Sequence, residues 1–186
     1  MTILSFLCFG RATLVVTAIV LAACSPTFNW REVPVGDADV VVLLPCKPDR
    51  ATRQLQLGTD MVPVDMAGCK TGGATFAVAH ASAGSAEQAE SWIRAWRAAT
   101  RTQLSNAQVV EAPASVLRAA ASPAPARLDA QGDTHGTPGE NKEEGAHVIW
   151  FAQQRPDGMA IYQATVLGSP SSPEALATFF EGIRVP

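Results

Sequence analysis

The sequence predicts an α+β domain, a mostly antiparallel sheet with two packed amphipathic helices in the order ββββ-α-(β)ββ-α. Three observations carry this reading. Four short apolar or alternating runs, separated by Gly and Pro, fill residues 38–83. Two stretches, 85–104 and 171–185, repeat apolar side chains at helical spacing. Between them, two further apolar runs are joined by the tight turn RPDG.

Each element has its own signal. ADVVVLLPC (38–46) is a continuous Val/Leu run, the mark of a strand buried on both faces, and Pro45 and Pro48 close it. ATRQLQLG alternates Arg53, Leu55 and Leu57 against Thr52, Gln54 and Gln56, a half-buried strand. MVPVDMAGC puts Val62, Val64 and Met66 on one side, and Gly72-Gly73 is a turn signal before the apolar strand ATFAVAHA, anchored by Phe76 and Val78. SAEQ from Ser85 has the form of a capping box, in which the Ser85 oxygen accepts from the Gln88 backbone N–H and the Gln88 side chain reaches back. The helix behind it aligns Ala89, Trp92, Ile93, Trp96 and Ala99 or Thr100. Residues 105–144 are rich in Ala, Pro and Gly and read mostly as loop, a flexible insert over about 112–144, with ARLDAQGD the one strand candidate inside it. AHVIWFAQQ and MAIYQATVLG form the hairpin around RPDG. Ser-Pro-Glu then starts a second helix that aligns Leu176, Phe179, Phe180 and Ile183.

Before this domain lies a different kind of segment. Arg11 is the only charge in the first thirty residues, and about eleven apolar or small residues follow it up to Cys24. That run is too short for a bilayer span, which takes roughly 20 residues, and fits the core of a signal peptide. Lengthening it upstream would place Arg11 in mid-bilayer at a cost of at least about 2.5 kcal/mol. The residues L-A-A-C at 21–24 resemble the bacterial lipobox. The resemblance implies thioether lipidation of Cys24, cleavage before it and acylation of the new amino terminus, which gives more than the two signals stable anchoring takes. Ser25, rather than Asp, after the cysteine points by analogy to the periplasmic face of the outer membrane. Residues 1–23 are then the leader, 24–37 a lipid-anchored tether, and 38–186 one domain. Phe28 and Trp30 are more apolar than a tether requires, and either pack on the domain or dip toward the membrane.

The remaining 163 residues suffice for one core. Of 14 basic and 17 acidic side chains, only Arg11 leaves with the leader, so the mature chain carries net −4, the wrong sign for a generic nucleic-acid binder. Cys8 departs with the leader and Cys24 carries lipid, leaving Cys46 and Cys69 as an even pair in an oxidising compartment, where a disulfide is the default. Closing that loop stabilises by about 3 kcal/mol in the chain-entropy view.

Chemistry-bearing patterns are sparse. No spacing of Cys and His offers the four ligands of a zinc site, and no cofactor motif follows Gly72-Gly73 or DTHGTPG. His80, His135 and His147 fall on separate elements. Ser85 is a cap, no G-x-S-x-G elbow occurs, and Glu143-Glu144 beside Lys142 read as solvation. No catalytic or metal-binding residue is therefore expected. Arg94, Arg97 and Arg101 line one side of the first helix and, with Arg50 and Arg53, form a candidate anion-facing patch. A solvated face, with Glu90 paired to Arg94, is the competing account. Trp92 and Trp96 read as core in preference to a pocket lining.

The strand VVVLLPCKPDRA, the Trp-bearing helix, the late hairpin and the closing ATFFEGIRV helix together resemble the PsbP-like α/β/α sandwich over about residues 38–185. FNWRE, LPCKP and the M-x-G-C of 66–69 are similar to uncharacterised proteobacterial lipoproteins, where the Cys pair also occurs. Both resemblances imply a non-enzymatic assembly or binding module with a periplasmic or outer-membrane protein partner. A small-ligand or lipid carrier using a cleft between sheet and helices is the alternative.

Overall fold

The structure, a computed structural model, describes residues 26–36, 40–132 and 145–186. The expected leader (1–23), Cys24, His135 and Glu143-Glu144 lie outside the described residues. Seven strands form one sheet: β3 (Asp49–Leu57), β4 (Asp60–Thr71), β5 (Ala74–Ala83), β6 (Gln108–Pro113), β7 (Ala126–Gln131), β8 (Ala146–Arg155) and β9 (Gly158–Gly168). Their spatial order is β3-β4-β5-β9-β8-β7-β6, and every neighbouring pair is antiparallel. A separate antiparallel pair, β1 (Arg31–Val35) and β2 (Val40–Leu44), lies over one face. Helix α1 (Ala86–Gln103) covers the other face, and α2 (Pro173–Glu181) joins the β1–β2 side. The expected α+β architecture and element order are thus present, with two strands added: β1 ahead of the first expected strand and β6 ahead of β7.

The two layers divide the side chains cleanly. Ala89, Trp92, Ile93, Trp96 and Thr100 of α1 are buried, which resolves the last position of the expected stripe in favour of Thr100. They pack with Val62, Val64, Leu128, Val148, Trp150 and Ile161. Burying side chains of this size contributes about 1.5–3 kcal/mol each. The Trp92 indole N–H donates to Asp60 Oδ2 at 2.8 Å and ties the helix to the β3–β4 turn. Trp150 donates to Gln163 Oε1 at 2.8 Å, so its polar edge is satisfied within the core. On the opposite face Phe76, Phe151, Tyr162 and Phe179 pack with Val40, Val42 and Leu44. The outward side of β2 is not open either. A Cβ at Gly182, just past α2, would lie 2.7 Å from Leu43 Cβ, so the continuous apolar run of β2 has neighbours on both sides.

The Ser85 cap forms as expected, accepting from Gln88 N at 3.2 Å, but the Gln88 side chain accepts from the N–H of Gly84, one residue earlier than a standard box. Three readings need correction. The expected tether contains β1, because Val33 and Val35 alternate inward and pair with β2. Strand β3 is an edge strand with Asp49–Gln54 exposed, so it is less than half-buried. The loop reading of residues 105–144 misses β6 and is otherwise followed over 114–125, which is irregular. That stretch is nonetheless seated: Ala114, Val116 and Ala119 pack on the core, and the Ala120 N–H donates to Ala152 O at 2.7 Å. Residues 133–144 of the expected insert are outside the description.

Candidate functional site

Four places are candidate sites, beginning with the disulfide. Cys46 lies two residues past β2 and Cys69 near the end of β4, and the two are bonded with Cα atoms 5.9 Å apart. The bond fastens the β2 layer to the seven-stranded sheet. Lys47 and Lys70, each one residue past a bonded cysteine, are exposed.

Beside it lies the docked N-terminal segment. The Phe28 ring covers Gly72, where an added Cβ would stand 2.5 Å from Cζ. Gly72 takes φ +57, and its lack of a side chain leaves room for the ring. Phe28 and Trp30 stack at 6.0 Å between centroids, and both meet Phe76 edge-on at 6.5 and 6.3 Å. Thr71 Oγ1 donates to Thr27 O at 2.7 Å and the Asn29 N–H donates to Pro45 O at 2.7 Å. Of the two roles open to these aromatics, packing on the domain is the one observed.

The arginine row does not come together as one patch. Arg97 Nη2 donates to Glu111 Oε2 at 2.6 Å, and Arg101 Nε pairs with Glu111 Oε1. Glu111 stands on β6, the strand that sequence reasoning missed. Burial, the largest single influence, raises the Glu111 pKa, but the hydrogen bonds and charges of Arg97 and Arg101 together outweigh it and hold the carboxyl below its usual range. The Arg97 guanidinium also lies 6.0 Å from the Trp150 ring centroid. Arg94 is exposed in a shallow depression shared with Glu87, Glu90 and Ser122, where Ser122 Oγ donates to Glu90 at 3.4 Å. Arg50 donates to Pro34 O at 2.9 Å on the β1 side of the sheet, and so is separated from the α1 row by the sheet itself.

A polar cleft of about 620 Å³ opens at the sheet end where β7 and β8 meet residues 132 and 145. His147 and Ser169 line it, with Asn106, Gln108 and Gln131. His147 Nδ1 lies 2.6 Å from Asp129 Oδ1, and Arg127 Nε lies 2.6 Å from Asp129 Oδ2. Burial pushes the Asp129 pKa up, and bonds and charges from Arg127 and His147 push it down by more, so the carboxyl stays ionised below its usual range. Asp129 therefore shares its charge between a guanidinium and an imidazole, an arrangement that fixes the three side chains on β7 and β8. His80 is buried elsewhere, its ring 5.1 Å from Tyr162 and beneath Gly36, which takes φ +66. Among the described residues no group of three His, Cys, Asp or Glu could hold a metal ion, and no described helix is long and apolar enough to cross a membrane.

Neither a family model nor a curated protein matches the chain.

Proposed function

We propose that the chain is a lipoprotein anchored through Cys24 at the periplasmic face of the outer membrane, and that its domain is a non-enzymatic module that binds a protein partner or assists assembly. The observation that carries the anchoring is L-A-A-C at 21–24 behind Arg11 and an apolar run. The Cys46–Cys69 bond supports an oxidising compartment for the domain. The resemblance to PsbP-like sandwiches belongs to this same proposal.

The binding-module reading is favoured over a carrier by the filling of the interior. A lipid or small-ligand carrier needs an apolar hollow between sheet and covering layers. Trp92, Trp96 and Trp150 occupy that space on one face, and Phe76, Phe151, Tyr162 and Phe179 on the other. The cleft described above is lined mainly by polar groups and glycine, the wrong chemistry for an acyl chain. Meanwhile Thr52, Gln54, Gln56, Asp65 and Ser82 stay exposed on β3, β4 and β5.

Two measurements test the proposal. Cys24→Ala should abolish incorporation of labelled fatty acid, and unchanged labelling sinks the anchor. A photo-crosslinking side chain at Gln54 in living cells should yield a discrete protein adduct absent with the same group at buried Val64. Adducts to lipid alone would favour the carrier.

A further inference from the structure

The chain is immobilised from Thr27 onward by the Thr27, Phe28 and Asn29 contacts with Thr71, Gly72 and Pro45. Only Ser25 and Pro26 separate Cys24 from that docked residue. Three residue steps reach at most about 11 Å, whereas a free tether of the length expected over 24–37 would reach about 50 Å. The difference decides the geometry of anchoring: about 11 Å is too little to hold the domain clear of the headgroups.

The docking residues also share one end of the sheet. Thr71 ends β4 and Gly72 begins the β4–β5 turn, and the Ser171 N–H donates to Gly72 O at 2.7 Å, bringing the segment after β9 to the same place. The β3–β4 turn at Gly58 and the β8–β9 turn at Asp157 mark the other end. Strand β9 has 11 residues, so the two ends stand about 35 Å apart. Exposed Lys47 and Lys70 lie toward the first end, flanking the disulfide, where their ammonium groups would be attracted to an anionic surface.

We propose that the β4–β5 end of the sheet rests on the bilayer surface in a fixed orientation, set by the seating of Phe28 over Gly72, with the β3–β4 turn directed away. This rests on lipidation of Cys24. The occupant of the surface is the headgroup layer of the membrane that holds the anchor, and Phe28 and Trp30 serve as a bracket on the protein side.

Amide NMR of the full lipoprotein in nanodiscs tests it, with equal parts phosphatidylethanolamine and phosphatidylglycerol and a trace of lipid bearing a gadolinium-chelating headgroup. Signals of Lys70, Gly73 and Ser171 should lose several-fold in intensity, while those of Thr59 and Asp157 persist. Equal losses at both ends, or greater loss at Thr59, overturn the orientation. A long Gly-Ser linker inserted between Ser25 and Pro26 leaves the domain untouched and should even out the losses, as should Phe28→Ala. A bias that survives both changes overturns the bracket. The mass of the N-terminal peptide separates the two levels: acylated Cys24 with equal losses refutes the orientation alone, and Cys24 without acyl mass refutes the anchor and the orientation together.

Discussion

The two faces of the sheet are covered in opposite ways. One is roofed mainly by a single 18-residue helix, α1, whose buried stripe comes from consecutive turns. The other is assembled from residues 28–30, the β1–β2 pair, the 114–119 segment, and α2 with the residues after it. Contacts inside one helix are local and cost little loop entropy to bring together. Contacts between pieces more than a hundred residues apart must first meet that cost. The assembled face is also the one with cross-ties: the Cys46–Cys69 bond, the paired Val41 and Arg184 backbones, and the Arg184–Glu32 ion pair at 2.6 Å. A layer made of separate pieces needs such ties; one continuous helix is held by its stripe.

The largest expected effect strikes the helix layer. Trp150→Ala removes the largest side chain at its centre and leaves Gln163 without its donor, and should cost about 4 kcal/mol in urea unfolding. A loss below about 1 kcal/mol would mean that the helix layer contributes little. Replacing Cys46 and Cys69 together with Ser should cost about 3 kcal/mol. Hydrogen exchange should then accelerate in β1, β2 and residues 27–30 and stay unchanged in α1. Uniform acceleration would erase the distinction between the layers.

Smaller changes sharpen the contrast. Ser85→Ala should cost about 1 kcal/mol and loosen only the first turn of α1, seen as lost protection at Gln88. Titration gives the smallest effect. Glu111 and Asp129 have carboxyls held below their usual range, so the folded state binds fewer protons than the unfolded chain through acid pH. The stability they add is present above the unfolded carboxylate range and is lost as pH falls below about 4 through the folded values. Glu111→Gln should flatten part of that acid limb and leave stability at pH 7 within about 1 kcal/mol, since both arginines stay partly solvated.

Local patterns were the legible part. The α1 stripe, its Ser85 cap, the Cys pair and the RPDG hairpin each declare themselves within a few residues or by counting cysteines. Strand β1 was hidden because REVPV carries charge and proline. Its signal, Val33 alternating with Val35, is only two residues long and makes sense only once β2 lies beside it. Strand β6 failed for the same reason: QVVEAP at an edge buries almost nothing, and Glu111 shows its purpose only when Arg97 and Arg101 arrive from another element. The arginine row was visible as a row, but its partner was not, because no spacing rule links residue 97 to residue 111 across a helix end and a strand.

Arg184 lies past α2, yet it pairs with Val41 and reaches Glu32, 152 positions earlier in the chain. A chain made from its amino terminus thus presents β1 and β2 long before the residue that borders them. That layer cannot close until residue 184 has joined it. Arrival of Arg184, rather than of the leading segment, becomes the event that finishes the fold, and a chain halted short of it would leave its first hairpin without that neighbour.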